Sequence, residues 1–161
     1  VFLSAFILDA YAFSTEGMIG YSLGKKDLKL FKSIVKNSFI LSSLTGFFIS
    51  IIYFFINESV INLMSDIEEI RKLSLSYVIW LILLPFIASF CYQFDGIFIG
   101  SSQTKELRNA MIISVSIYII SAINLTSIFG NLGLWISFGI FFIARGLTLF
   151  LYLDRIYKRI Q

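Results

Sequence analysis

The chain has 161 residues, of which 58% are hydrophobic, 17% aromatic and only 14% charged. A soluble domain of this length could not bury so much apolar surface, and uncharged stretches reach the ~20 residues that a helix needs to cross a bilayer. The net charge of +3 does not indicate nucleic acid as a partner, because the basic residues lie between the apolar stretches and form no single patch.

Five predicted membrane spans follow in chain order. The first carries Asp9 and Glu16, the third has no charge before Asp95, and only Arg145 interrupts the fifth. Helices are expected because a segment in lipid must satisfy its own backbone hydrogen bonds, and the ~10-residue alternation of a membrane barrel is not seen. The expected fold class is therefore all-α, a polytopic transmembrane helix bundle. Its spans are predicted at about 1–23, 34–56, 73–100, 110–129 and 132–153, with breaks at 24–33, 57–69, 101–108 and 130–131.

Lysine and arginine give the orientation, because they favour the cytoplasmic side of a membrane. In the five-span arrangement Arg71 and Lys72 fall on one side and ten basic residues fall on the other. We therefore expect a multi-pass protein of the inner (plasma) membrane with a cytoplasmic C-terminus, and an outer aromatic belt. The belt residues are Tyr77, Trp80 and Trp135, and the ten basic residues are Lys25, Lys26, Lys29, Lys32, Lys36, Lys105, Arg108, Arg155, Lys158 and Arg159.

The sequence begins inside the first span, at Val1, with no initiator methionine and no charged segment before it. A signal peptide or signal anchor would have such a segment. We therefore expect upstream sequence with further spans, and any function then belongs to a larger protein.

Catalytic side chains are scarce. There is no histidine, and the single cysteine, Cys91, lies inside an apolar stretch where it is expected to pack as a small hydrophobic residue. This removes the commonest general base, the usual zinc ligand and every Ser–His or Cys–His arrangement. No paired-acid D-x-D motif of a membrane transferase is present either. We expect neither an enzyme nor a cofactor.

Ionisable residues at membrane depth cost ~2.5 kcal/mol or more each, and they usually face the bundle interior or a water-filled cavity. Asp9, Glu16, Asp95 and Arg145 are of this kind, and with Gln93 they form the candidate ion-binding and substrate-binding set. Asp9 and Glu16 are seven residues apart and share one helix face. Counting from the inner span ends puts Glu16 and Arg145 at similar depth, with Asp95 slightly nearer the cytoplasm. An ion pair between Glu16 and Arg145 is thus allowed, and its role could be transport or helix packing alone.

Two Gly-x-x-x-Gly pairs close predicted spans, Gly20 with Gly24 and Gly96 with Gly100. This spacing lets helix backbones approach closely, so it predicts packing rather than chemistry. Pro85, the only proline, lies near the middle of the third span and is expected to kink it.

Segment 8–20 reads LDAYAFSTEGMIG. It resembles the L-D-G-[FY]-A-[FY]-A-x-E-x-x-[VI]-G run of the multidrug and toxic compound extrusion (MATE) transporters, in their DinF-like branch, although Ala10 replaces the usual glycine and Ser14 and Thr15 replace small residues. Segments 94–100 (FDGIFIG) and 107–111 (LRNAM) resemble that branch's tenth helix and the loop after it. Segments 132–135 and 144–146 resemble its last helix.

The resemblance implies that the five spans are helices eight to twelve of a twelve-helix, two-lobe transporter. The whole chain, 1–161, would then be most of the C-terminal lobe, with the N-terminal lobe as its missing partner. Such proteins export organic cations, drugs or other amphipathic compounds in exchange for protons or sodium ions, and Asp95 matches an ion-site position of related branches. The expected partners are a small-molecule substrate and membrane lipid.

Two alternatives stay open. A lipid-linked oligosaccharide flippase of the same superfamily would be favoured by basic residues lining the cavity, and only Arg145 is available for that role. An inactive membrane fragment or subunit is the other.

Overall fold

The computed structural model describes the backbone of residues 2–160 and the side chains of 3–158. Val1, the predicted start of the first span, and the Arg159 side chain, one of the predicted cytoplasmic charges, lie outside this description. Residues 2–160 form helices joined by short turns, with no strand, which confirms the all-α fold. The helices are α1 (Phe2–Gly24), α2 (Leu28–Met64), α3 (Glu68–Ser76), α4 (Val78–Gly100), α5 (Thr104–Phe129) and α6 (Asn131–Ile160).

Four helices within the described residues are long and apolar enough to cross a membrane: Leu28–Met64, Val78–Gly100, Thr104–Phe129 and Asn131–Lys158. Helix α1 has the length, with 23 residues, and carries Asp9 and Glu16, but it is not among these four. The membrane bundle is confirmed for α2, α4, α5 and α6. The fifth span, in α1, stays a prediction.

Several helices differ in extent from the predicted spans, and α2 and α4 show why. Helix α2 extends well beyond 34–56, because a helix can continue through polar residues outside the bilayer. Its start is fixed by Asp27, whose side chain accepts a hydrogen bond from the Leu30 amide at 2.9 Å. The third span begins at Val78 and not at 73, because Tyr77 leaves the helical conformation and ends α3 there. Hydropathy cannot detect this break, since the residues around it carry no charge.

Helix α4 lies at the centre of the bundle and packs against α1, α2 and α6, while α5 and α6 form a hairpin. The main core joins Ile19 near the end of α1 and Phe31 near the start of α2 to Phe98, Ala110 and Ile156. The ends of α1, α4 and α6 and the starts of α2 and α5 therefore meet at one end of the bundle. The basic residues around the two turns 25–27 and 101–103 gather at this end, as the five-span arrangement predicts.

Close backbone packing between α1 and α4 is made by one of the two glycine pairs. A Cβ atom on Gly96 would collide with the Ala12 carbonyl, and one on Gly100 would collide with the Glu16 carbonyl. Gly20 contacts the Gly100 carbonyl, whereas Gly24 has nothing within 4 Å of where its Cβ would be. The second pair packs as predicted, and the first pair contributes only one of its glycines.

Pro85 lies inside α4, where the helix meets α2. A Cβ on Gly46 of α2 would lie 3.0 Å from the Pro85 carbonyl and 3.1 Å from Ser89 Cβ. Ser42, one turn before Gly46, donates a hydrogen bond to the Ser89 carbonyl at 3.4 Å. Small residues on α2 thus let it approach α4 at the proline turn, which gives Pro85 a packing role.

The predicted belt residues meet at the opposite end of the bundle. The rings of Tyr77 and Trp135 stack with centroids 6.4 Å apart. Trp80 packs over Gly139, whose Cβ would lie 3.3 Å from the indole ring. This arrangement joins the starts of α4 and α6 beside each other at that end.

Candidate functional site

An ion pair between α4 and α6 is the most conspicuous polar feature of the bundle interior. Arg145 Nη2 donates to both carboxylate oxygens of Asp95, at 2.7 and 2.9 Å. The two side chains are only 13% and 26% exposed, respectively. The second terminal nitrogen of the guanidinium, Nη1, contacts Met111 Sδ at 2.7 Å, so the same arginine also reaches α5. Ion pairs with two hydrogen bonds on the carboxylate are the strong class.

The Glu16–Arg145 ion pair that the sequence allowed is not formed, because Arg145 is bonded to Asp95. Helix α6 packs on α4 and α5, whereas α1 packs on α2 and α4. The predicted depths were also wrong: Gly100 lies against Glu16, so Asp95, five residues earlier on the parallel helix α4, is farther from the basic end than Glu16. Counting from span ends failed because α1 continues for two turns beyond the level at which α4 ends.

Asp9 lies close to the Asp95–Arg145 ion pair. Its half-buried carboxylate is close enough to Asp95 and Tyr92 to interact electrostatically with both. Among residues 3–158, neither Asp9 nor Glu16 forms an ion pair. Asp9, Asp95 and Arg145 together, which we call the charged cluster, therefore hold two carboxylates and one guanidinium. With both acids ionised the cluster carries one excess negative charge, which a proton or a metal cation would neutralise.

Glu16 lies apart from this cluster. It lines an open cleft of about 530 Å³ between α1 and the end of α4, together with Gly20, Ile99, Gly100 and Ser102. Although Asp9 and Glu16 are seven residues apart, about 10 Å of helix separates them. The structure thus places the two α1 carboxylates in different surroundings.

Gln93 is fully buried and only partly satisfied. Its Oε1 lies 2.9 Å from Thr15 Oγ1, which also lies 2.8 Å from the Tyr11 carbonyl. Its Nε2 has no hydrogen-bond partner among the described residues. Thr15 has one proton to give, so turning the amide over would satisfy the nitrogen and leave the oxygen unpaired. Either way, one end of the Gln93 amide is available for a ligand or water.

The hydroxyl groups of Tyr11 and Thr45 extend the Gln93–Thr15 contact into a strip of polar groups across three helices. Thr45 of α2 donates to the Tyr11 hydroxyl at 2.9 Å, and the Tyr11 carbonyl accepts from Thr15. The strip therefore runs from Thr45 through Tyr11 and Thr15 to Gln93. Sequence reasoning missed Tyr11 and Thr45. The four-residue spacing of Tyr11 and Thr15 could have indicated a shared face of α1, but Thr45 gives no signal because hydroxyl residues are spread throughout α2.

Comparisons with known proteins point to the same family that the sequence resembles. The family model MatE matches residues 1–123. The DNA damage-inducible protein F of Escherichia coli (strain K12) is 29% identical over 146 residues, which are 91% of this chain and 32% of that protein. The chain thus spans about a third of the length of this curated relative. No solved structure matches the chain. Since the family model covers well over half of the chain, the chain belongs to the MatE family of membrane transporters.

Proposed function

We propose that the whole protein is a secondary antiporter, which exports organic cations, drugs or other amphipathic compounds in exchange for protons or sodium ions. This chain would supply helices eight to twelve, most of the C-terminal lobe, and an N-terminal lobe would complete the central cavity. It would act in the inner (plasma) membrane, with its C-terminus in the cytoplasm. Family membership supports transport rather than catalysis, and the charged cluster supports cation coupling.

The observation that carries the proposal is the excess carboxylate in the charged cluster. Asp95 is held by Arg145, while Asp9 is close by without an ion pair among residues 3–158. A proton or sodium ion arriving here would compete with Arg145 for the carboxylates. Binding would weaken the Asp95–Arg145 link between α4 and α6, so the two helices could change their relative position. A cation can drive such a change only through different affinities for the two arrangements, and loss of this link provides that difference.

Gln93 and Glu16 have supporting roles in this proposal. The free end of the Gln93 amide offers one neutral hydrogen-bonding group beside Thr15 and Tyr11. Glu16 places a carboxylate in an open cleft, where it would attract cationic compounds before they reach the bundle interior. The flippase alternative requires free basic groups inside the bundle, and Arg145 is already neutralised by Asp95.

The test is transport by the full-length protein in proteoliposomes, measured per inserted molecule. We expect Asp95→Asn to abolish the acceleration of organic-cation efflux by an imposed proton or sodium gradient. The double variant Asp95→Asn/Arg145→Gln should lose the acceleration too, although it removes both charges of the ion pair together. Asp66→Asn is the matched control, because Asp66 is fully exposed and pairs with Arg71 outside the bundle. Gradient-dependent efflux that survives in the double variant would show that the pair only holds the helices together.

A further inference from the structure

A long apolar groove runs between α2, α4 and α6, on the outer surface of the bundle. Its volume is about 580 Å³, and its wall includes Val35, Phe39, Phe94, Leu153 and Tyr157. On α6 the lining extends from Phe142 to Tyr157, about 22 Å of helix. That distance exceeds the ~15 Å depth of one leaflet of the hydrocarbon core. The groove therefore has the length and the polarity to hold a lipid acyl chain.

The mouth of the groove lies at the basic end of the bundle. Tyr157 forms its last wall residue, and the Lys32 ammonium lies 5.7 Å from the centroid of that ring. On α2, Lys32 precedes the wall residues Val35 and Phe39 by three and seven positions, so all three share one helix face. Lys36 is exposed one turn further along.

The charges near the mouth do not cancel. Helix α2 contributes Lys29, Lys32 and Lys36, all exposed, and α6 contributes the exposed Lys158 next to Tyr157. Among the described side chains, residues 3–158, the carboxylate that acts on Tyr157 is that of Asp154. An apolar groove with a positively charged rim at the membrane surface matches a lipid that has an acyl chain and a negatively charged headgroup.

We propose that this groove is a binding site for an anionic phospholipid, with one acyl chain between α2, α4 and α6 and the phosphate at Lys32 and Lys36. The proposal is independent of the transport function, since the charged cluster lines no part of the groove. Bound lipid would fill the space between α2 and α6, which contact each other directly where Phe31 and Lys32 meet Tyr157.

Two kinds of variant separate the headgroup from the acyl chain. Lys32→Glu/Lys36→Glu reverses the charge at the mouth, and Lys105→Glu/Arg108→Glu is a matched reversal on the same membrane side, at residues that do not line the groove. Gly146→Leu fills the groove, since a Cβ at Gly146 meets only Cys91 Sγ, at 3.9 Å. Ile143→Trp is a second filling variant, at a groove residue that is 54% exposed.

The measurement is native mass spectrometry of the full-length protein from nanodiscs that contain equal amounts of phosphatidylglycerol and phosphatidylcholine. We expect wild type to retain phosphatidylglycerol preferentially. The Lys32/Lys36 reversal should weaken that retention about tenfold or more, the filling variants should lower retention of both lipids, and the Lys105/Arg108 reversal should leave it unchanged. Thermal unfolding identifies any misfolded variant.

Three results would overturn the proposal. Wild type could retain no lipid, which would mean that another segment of the full-length protein covers the groove. Both charge reversals could lower retention equally, which would mean a general surface charge effect. Both filling variants could fold and retain lipid as wild type does, which would place the lipid elsewhere.

Discussion

Asp95 and Arg145 neutralise each other inside a bundle whose surrounding side chains are mostly apolar. Removing one partner leaves the other charge poorly solvated, which is costlier than removing both. We expect Asp95→Asn to lower the free energy of unfolding by about 3 kcal/mol, near the lower end for a buried pair because both side chains are partly exposed. Asp95→Asn/Arg145→Gln should recover part of this loss. Unfolding of the full-length protein in a denaturing detergent measures both, and equal stability of all three forms would show that the pair contributes nothing.

The glycines on α1 and α4 differ in what surrounds them, although their spacing in sequence is the same. A methyl group on Gly96 or Gly100 would collide with backbone of α1, whereas one on Gly24 would meet nothing within 4 Å. We expect Gly96→Ala and Gly100→Ala each to cost about 1–3 kcal/mol of stability. Gly24→Ala is the matched control and should be close to neutral. The close contact between the helices is disproved if the three substitutions have the same effect in thermal unfolding.

At the scale of single residues, the sequence predicts which charged residues lie inside the bundle better than it predicts which residues they bond. The cost of a charge in an apolar stretch was enough to single out Asp9, Asp95 and Arg145. It could not tell that Arg145 bonds Asp95 rather than Glu16, because that depends on which helices are neighbours and on their relative height. The buried Gln93–Thr15 contact could not be predicted either, since neutral polar residues are common in membrane helices and their partners depend on which helices are neighbours.

The helices themselves follow from composition, and their ends follow from local backbone chemistry. Gly130 joins α5 to α6 with φ 58° and ψ −134°, a combination open to glycine almost alone. We expect Gly130→Ala to destabilise the α5–α6 hairpin by about 1–3 kcal/mol. Gly17→Ala, at a helical glycine with nothing within 4 Å, provides the comparison. An unfolding midpoint that Gly130→Ala leaves unchanged would contradict the strained turn.

Helix α1 runs parallel to α4 and is locked to it at Gly96 and Gly100, which supports the prediction that it crosses the membrane as α4 does. We expect Leu3→Cys to react with a membrane-impermeant thiol reagent from outside, and Lys25→Cys and Ser102→Cys to react from the cytoplasmic side. The native Cys91 is buried and serves as an unreactive background. Labelling of Leu3→Cys and Lys25→Cys from the same side would show that α1 does not span.

Hydropathy found the number of long helices and the turn at Gly130, but not where α2 ends or α3 stops. Both errors have one physical cause, since hydropathy follows the bilayer while hydrogen bonding determines the helix. Helix α2 includes the charged residues on both sides of its apolar stretch and continues to Met64, and α3 ends at Tyr77 within an uncharged stretch. Local conformation of this kind is decided by packing and capping, which a sliding average does not record.

At the scale of the whole molecule, the distribution of charge agrees with the arrangement of the helices. The core joins the helix ends that carry the basic turns, so the lysine bias along the sequence becomes one basic end in space. The charged cluster lies deeper in the bundle, with Glu16 in a cleft between the two. If the proposed transport path enters from the basic end, a compound would pass Glu16 before it reaches the charged cluster.

The most direct test of the proposed antiport is efflux from proteoliposomes that contain the full-length wild-type protein, are loaded with a fluorescent organic cation and are supplied with no ATP. An inward gradient of protons or of sodium ions, imposed in separate experiments, should accelerate dye efflux severalfold over liposomes without a gradient. We expect at least one of the two ions to accelerate efflux, and an ionophore that collapses that gradient to abolish the acceleration. Efflux that neither gradient accelerates, from protein shown to be folded and inserted, would contradict it.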